Sequence, residues 1–375
     1  MELFDVYPLY DVTPVTAKGI VITDDKGDTY LDFYGGHAVI SIGHSHPYYI
    51  ERIKSQIDQI GFYSNSVKNP LQRQLAKKLG QLSNCEDYNL FLCNSGAEAN
   101  ENALKLASFH TNKSRVIAFT NSFHGRTSAA VAATDNENIN APINKQQKVT
   151  FLSFEDIKTF ETEIKKEDVC AVILEAIQGV GGLDEPSGIF YREIAALCKK
   201  YGVVLIADEV QSGFGRTGSF FAFQQHEIKP DIITIAKGMG NGFPVGGVLI
   251  HKNIQASYGL LGTTFGGNHL ACTAVLAVLE VLEKEQLVKN AERLGKYFKK
   301  RALEIPQVRE IKGRGLMLGL KFDFEVGELR KNLIYEQHLF TGGAKDKNVL
   351  RILPAMNITK SDMDLFFEKL KIALS

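Results

Sequence analysis

Two short apolar runs constrain this chain more than any other feature. Val203-Val204-Leu205-Ile206-Ala207 and Ile232-Ile233-Thr234-Ile235-Ala236 have the length and β-branched content of strands buried on both faces. Each run ends on a charge, Asp208 after the first and Lys237 after the second. If both strands lie in one parallel sheet, a carboxylate and an amine project from its C-terminal edge, where open α/β sheets bind ligands. An amine at the end of a buried strand is partly desolvated, which favours its neutral, nucleophilic form and suits it to Schiff-base chemistry with an aldehyde. A nearby carboxylate can hold a pyridine nitrogen protonated and make that ring an electron sink. Taken singly, a strand-end Lys or Asp is more often a solvated edge residue, so the flanking motifs decide between the two readings.

The surrounding pattern supplies the sheet. Strands are expected at Leu90 to Cys93, Val116 to Phe119, Val149 to Leu152, Val169 to Leu174 and Gly247 to Ile250. Helices are expected at Ala97 to His110 and Gly188 to Tyr201, with two more upstream, Pro47 to Ile60 and Pro70 to Leu82. This alternation predicts an α/β domain on a mostly parallel sheet flanked by helices, over residues 51–275. A long helical pattern from Asn268 to Lys284 leads away from it, and residues 276–375 read as a smaller α+β domain. Residues 1–50, with a hairpin around Asp24 to Asp28, are expected to complete that smaller domain.

Composition excludes several partners. Forty-three basic residues balance forty-three acidic ones, so no global field argues for nucleic acid or an anionic membrane. No apolar run approaches the roughly 20 residues of a membrane span, and no signal peptide is visible at the N-terminus. The five cysteines are odd in number and mostly set among apolar residues, which predicts reduced core thiols in a cytoplasmic protein. His44-Ser45-His46 lacks the further ligands of a metal site, and no metal is expected.

Four further motifs bear on chemistry. Asn94-Ser95-Gly96-Ala97-Glu98 joins a strand to a helix, so Ser95 can cap that helix while the Gly96 and Ala97 N–H groups face an anion such as a phosphate. Phe123-His124-Gly125-Arg126-Thr127 offers an aromatic ring for stacking and an arginine for a carboxylate. Gly262-Thr263-Thr264-Phe265-Gly266-Gly267 gathers hydroxyls and glycine N–H groups that can complete a phosphate cradle within one subunit or across a dimer interface. Gly213-Phe214-Gly215-Arg216-Thr217-Gly218 matches a dinucleotide fingerprint in spacing, but no amphipathic helix follows it, so that reading is rejected. A lysine, a carboxylate, a phosphate cradle and a stacking ring together are what pyridoxal 5'-phosphate requires.

These segments resemble the class III, fold-type I, pyridoxal-phosphate aminotransferases, within the acetylornithine/succinylornithine aminotransferase branch. LDFYGG, GHSHP, NSGAEANENALKLA, FHGRT, ADEVQSGFGRTG, PDIITIAKGMGNGFPVGG, GTTFGGN, GRGLMLGL and LRILPA carry the likeness, in the family's order, from about Tyr30 to Arg351. The resemblance implies a homodimer that transfers the terminal amino group of an N2-acylated ornithine to 2-oxoglutarate. It implies that Lys237 carries the cofactor and that Asp208 pairs with its ring nitrogen. Phe123 would stack on the ring and Gln211 would lie near its hydroxyl. Gly96 and Ala97 would bind the phosphate, with Thr264 from the partner subunit, and Ser95, Glu209 and Val210 belong to the same cofactor set. Arg126 would hold a substrate carboxylate with Thr263 close by, and Arg351 the α-carboxylate of glutamate and 2-oxoglutarate.

One departure bears on the substrate. The family commonly has a glutamate where this chain has Val180 and a proline where it has Ala176. In ornithine-type relatives that glutamate masks the arginine resembling Arg351. Its loss is expected to leave Arg351 available to a carboxylate and, with the unusual Tyr34-Gly35-Gly36-His37 loop, to favour N-succinylornithine at least as much as N-acetylornithine. The alternatives are an ω-aminotransferase for ornithine or 4-aminobutyrate, a mutase or racemase on the same fold, and a binding module in which Lys237 and Asp208 meet by accident.

Overall fold

A computed structural model describes residues 1–375. Its centre is a seven-stranded sheet of β1 (Tyr88–Cys93), β2 (Arg115–Phe119), β3 (Val149–Leu152), β4 (Val169–Glu175), β5 (Val204–Asp208), β6 (Ile232–Ile235) and β7 (Gly246–His251). The spatial order is β1-β7-β6-β5-β4-β2-β3. Every residue of β4, β5 and β6 is buried, as their uninterrupted apolar runs require. All neighbours pair in parallel except β7, which runs antiparallel to both β1 and β6. The helix Gly96–Thr111 packs across β4, β5, β6 and β7. Ser95 starts it, its hydroxyl accepting from the Glu98 N–H at 3.1 Å.

Two four-stranded sheets stand beside this layer. In one, the hairpin strands Pro14–Lys18, Val21–Asp24 and Thr29–Asp32 gain a parallel fourth strand from Leu339–Phe340, so the two ends of the chain share hydrogen bonds. The other joins Glu310–Arg314, Met317–Lys321, Val349–Ile352 and Gly342–Gly343 in antiparallel pairs. A single core of 64 buried residues runs from Ile117, Leu205 and Ile233 through Val275 and Leu279 to Leu318, Ile352 and Phe366, so these sheets are fused to the large one rather than tethered to it. The division expected between residues 275 and 276 falls inside the continuous helix His269–Lys284, which packs on the helices Pro47–Ile57 and Pro70–Ser83. No helix is long and apolar enough to cross a membrane.

The glycine-rich segment rejected above as a dinucleotide fingerprint is a structural clasp. Gly215 and Gly218 have φ of +87° and +90°, and a Cβ would come within 2.7 Å of Val288 at the first and 3.0 Å of Glu292 at the second. Only glycine lets this loop lie against the helix Leu287–Ala302. Between them, Arg216 is buried and donates to the carbonyls of Ile40 at 3.2 Å, Leu316 at 3.4 Å and Pro354. Burial brings its guanidinium down to about 10, still charged at neutral pH. One side chain thus satisfies carbonyls from three distant segments, and its removal strands all of them. Arg216→Met is therefore expected to cost on the order of 3 kcal/mol in urea unfolding. A loss below about 1 kcal/mol would refute the clasp.

Candidate active site

The C-terminal ends of β5 and β6 bring the two charged strand ends together. Both Asp208 and Lys237 line a chamber of about 380 Å³. Ser95, Gly96, Ala97, Phe123, Arg126, Val210 and Gln211 line it as well, so nine of the residues expected at the site share one wall. The main chain turns sharply after β6 through Lys237–Met239, and Lys237 itself has φ +49°, a left-handed backbone that a side-chain-bearing residue adopts only when its surroundings impose it.

Asp208 is 4% exposed, and three groups converge on its carboxylate. The Val210 N–H donates to Oδ1 at 3.0 Å, the Asn100 amide donates to Oδ2 at 2.8 Å, and His124 Nδ1 lies 2.7 Å from Oδ2. Asn100 also accepts from the Thr234 hydroxyl of β6 at 2.6 Å. Burial lowers the proton affinity of the Lys237 amine, opposed by Asp208 and Glu175 and reinforced by Arg351. The second acid in the wall, Glu175, closes β4 in register beside Asp208. It accepts from the Phe123 N–H at 3.0 Å and the Gly179 N–H at 2.7 Å, and burial pushes it up to about 7.

Asn100, His124 and Glu175 were not among the expected site residues. Glu175 could have been found by the rule that found Asp208, because it too ends a continuous apolar run. Nothing local to Asn100 or His124 announces a contact with a residue 108 or 84 positions away.

Four expected residues lie outside the chamber wall. Glu209 is the first: its carboxylate accepts from the N–H groups of Ala222 at 3.0 Å and Phe223 at 2.9 Å and from the Ser212 hydroxyl at 2.7 Å. It anchors the turn Ala222–His226, buried deeply enough to sit at about 7. Thr263 accepts from the Asn94 amide at 3.3 Å and caps the Gly266 N–H at 3.1 Å, and it does not meet Arg126 within one chain. Thr264 is exposed. Arg351 is 3% exposed and projects from the strand Val349–Ile352.

The surroundings of Arg351 are unusual for a buried cation. It donates to the carbonyls of Gly343 at 2.5 Å and Gly179 at 2.7 Å and to the Tyr34 hydroxyl at 3.3 Å, and it has no carboxylate partner. These bonds use three of its five N–H donors. With Val180 in the adjacent loop, backbone carbonyls take the place of a side-chain acid. Tyr34 also bonds His37 Nδ1. His37 lies on a left-handed turn in which Gly35, Gly36, His37 and Ala38 have φ of 56°, 54°, 68° and 63°. Asp32 holds that turn, accepting from the N–H groups of Tyr34 at 3.0 Å and Gly35 at 2.7 Å. Burial, then Arg351, Lys237 and Arg330, push His37 down to about 4, so it is neutral at physiological pH. Its neighbour His44 pairs with Asp32 at 2.8 Å while His46 pairs with Glu285 at 2.9 Å.

The chamber fits a phosphorylated pyridine aldehyde. Gln211 Oε1 is buried without a partner, as a group awaiting a hydroxyl would be. Gly96 and Ala97 open a 16-residue helix whose N-terminal dipole favours an anion. A Cβ at Gly96 would come within 2.6 Å of Val210, so glycine is required there for the helix to reach the strand end.

Comparison with known proteins agrees with that fit. The family model of class-III aminotransferases matches residues 6–374. The acetylornithine aminotransferase of Bacillus subtilis is 40% identical over 380 residues, covering 100% of this chain and 98% of that protein. The acetylornithine aminotransferase of Archaeoglobus fulgidus is 38% identical over 97% of this chain and 96% of its own length. Among solved structures, the ornithine aminotransferase of Toxoplasma gondii superposes with a TM-score of 0.91 at 28% identity, covering 98% of this chain and 91% of that one. The likeness spans the whole length and includes every strand that builds the chamber. This chain therefore belongs to the class III aminotransferases, and its cofactor is pyridoxal phosphate.

Proposed function

We propose that the chain moves the terminal amino group of an N2-acylated ornithine, N-acetylornithine or N-succinylornithine, to 2-oxoglutarate. The products are the acylglutamate semialdehyde and glutamate. The observation that carries this reading is a single chamber holding Lys237 and Asp208, beside an arginine, Arg351, that has no acid to mask it. The acetylornithine aminotransferases at 38% and 40% identity support the acylated donor. The ornithine aminotransferase at 28% identity gives weaker support to the alternative, ornithine or 4-aminobutyrate.

Pyridoxal phosphate supplies an aldehyde that takes up the donor's amine and a ring that withdraws electrons from the adjacent carbon. The chain's own groups do the rest. Gly96 and Ala97 offer N–H groups to the phosphate, with Ser95 fixing the helix start. Phe123 would cover one face of the ring, and Gln211 and Val210, which line the same chamber, would border it. Asp208, held in place by Asn100, Val210 and His124, would accept the ring N–H. Lys237, whose burial favours the neutral amine, carries a proton away from the amine-bearing carbon of the donor. Arg126 and Arg351 take the carboxylates of donor and keto acid, and neutral His37 pairs with the Tyr34 hydroxyl that meets Arg351 without adding charge.

In this reading residues 51–275 bind the cofactor, while 1–50 and 276–375 form the lobe that brings Tyr34, His37 and Arg351 over it. The protein works as a homodimer in which Thr264 and Thr263 complete the partner's chamber. Support comes from an apolar patch beside them: Phe62, Tyr63, Val67 and Phe265 are 43%, 57%, 52% and 59% exposed in one chain.

Three outcomes are expected. With 2-oxoglutarate present, kcat/KM for the acylated ornithines exceeds that for ornithine and 4-aminobutyrate by about tenfold or more. Preference for free ornithine, or turnover without a keto acid, contradicts the assignment. Asp208→Asn lowers kcat by at least about a hundredfold, and Asn100→Ala, which removes one of three groups on Asp208, by about tenfold. Unchanged activity in Asp208→Asn would remove that carboxylate from the chemistry, and in Asn100→Ala would remove Asn100 from its support. Light scattering on the purified protein gives the mass of a dimer, and a monomer that retains full activity excludes the shared site.

A further inference from the structure

Glu175 is an acid in the chamber wall with no part in the proton transfer assigned to Lys237. It closes β4, is 6% exposed, and commits each oxygen to a different segment. Oε1 accepts from the N–H of Phe123, in the loop that follows β2, at 3.0 Å. Oε2 accepts from the N–H of Gly179, four residues further along its own chain, at 2.7 Å. The side chain therefore spans from the ring-stacking residue to the loop that begins at Ala176.

Gly179 passes that hold on. Its carbonyl accepts from Arg351 Nη1 at 2.7 Å. Its Cα lies so close to the Gln211 amide that a Cβ would overlap it, so only glycine fits between the two. One residue on, the Val180 carbonyl accepts from the Lys345 N–H at 2.8 Å, which ties the same loop to the segment leading into the Arg351 strand. Glu175 makes no hydrogen bond to Arg351 itself. Burial works against the charge on Arg351, and Tyr34 and, behind it, Glu175 support that charge. The acid thus stands behind the arginine's backbone acceptor. One N–H on each terminal nitrogen of Arg351 remains for an incoming carboxylate.

We propose that Glu175 is a positioning residue for the keto acid: anchored on the Phe123 N–H, it fixes Gly179 and through that carbonyl aims Arg351. The inference rests on the assignment of Arg351 to the carboxylate of 2-oxoglutarate and glutamate, and adds the group that sets its direction. A side chain at position 175 that accepts from neither N–H frees the loop, and the Gly179 carbonyl no longer holds Arg351 in one place. The loss then falls on carboxylate binding, and only as long as Arg351 is there to be aimed.

The test is a double-mutant cycle on the glutamate half-reaction of the holoenzyme, followed in single turnovers by the change in the cofactor's visible absorbance. Glu175→Leu, which keeps bulk but accepts from neither N–H, raises the half-saturating glutamate concentration by about tenfold, and Arg351→Ala raises it by more. The double variant matches Arg351→Ala alone to within about twofold, because the effect of Glu175 runs through Arg351. Glu175→Ala, which adds no bulk to the chamber, repeats the cycle as a second variant. Losses that multiply in the double variants, or half-saturation unchanged in both Glu175 variants while Arg351→Ala raises it, overturn the positioning role alone. Loss of the cofactor from both Glu175 variants also overturns it, since the residue would then hold the whole chamber. If Arg351→Ala leaves half-saturation unchanged, the assignment of Arg351 to the keto acid fails and this inference goes with it.

Discussion

Asn100 is the tie on which the rest of the site depends. Its amide donates to Asp208 at the end of β5, its carbonyl oxygen accepts from Thr234 of β6, and its own backbone belongs to the helix that begins at Gly96. One side chain, 1% exposed, thereby fixes the phosphate-facing helix against both strands that carry charged ends. A buried amide must satisfy its donors and acceptors, so its position leaves little freedom to the groups around it. Lys237 then emerges two residues beyond β6 on a left-handed turn, with its amine partly stripped of water and close enough to Asp208 and Glu175 to feel both. The low proton affinity that a Schiff-base lysine needs follows from this burial rather than from any one neighbour.

The carboxylate end of the chamber is built on a different principle. A buried arginine ordinarily needs an acid, because an uncompensated charge in low dielectric is costly. Arg351 is instead met by two carbonyls and a tyrosine hydroxyl, which solvate the cation without neutralising it. Its attraction for an incoming carboxylate is therefore retained. The left-handed turn from Gly35 to Ala38 puts Tyr34 and His37 against it, and the strain of two non-glycine residues in that conformation, about 1–2 kcal/mol each, is sustained by the Asp32 hydrogen bonds.

Much of this was legible in the chain because burial writes itself into uninterrupted apolar runs. The strands ending at Asp208 and Lys237, the Ser95-capped helix and the large parallel sheet all follow from local pattern. The antiparallel course of β7 was not legible, since a short apolar strand carries no mark of its direction. Glu209 follows Asp208 directly, but successive residues leave a strand on opposite faces, and its carboxylate holds the Ala222–His226 turn, a contact that no local pattern announces. Asn100 and His124 were missed because their partners lie far away in sequence.

The central claim is that one particular amine, of all those in the chain, holds the cofactor. Reduction of the holoenzyme with borohydride, followed by proteolysis and mass mapping, tests it directly. A phosphopyridoxyl group found on the peptide containing Lys237 is the predicted result. The same group on another lysine, or on none, would contradict the account.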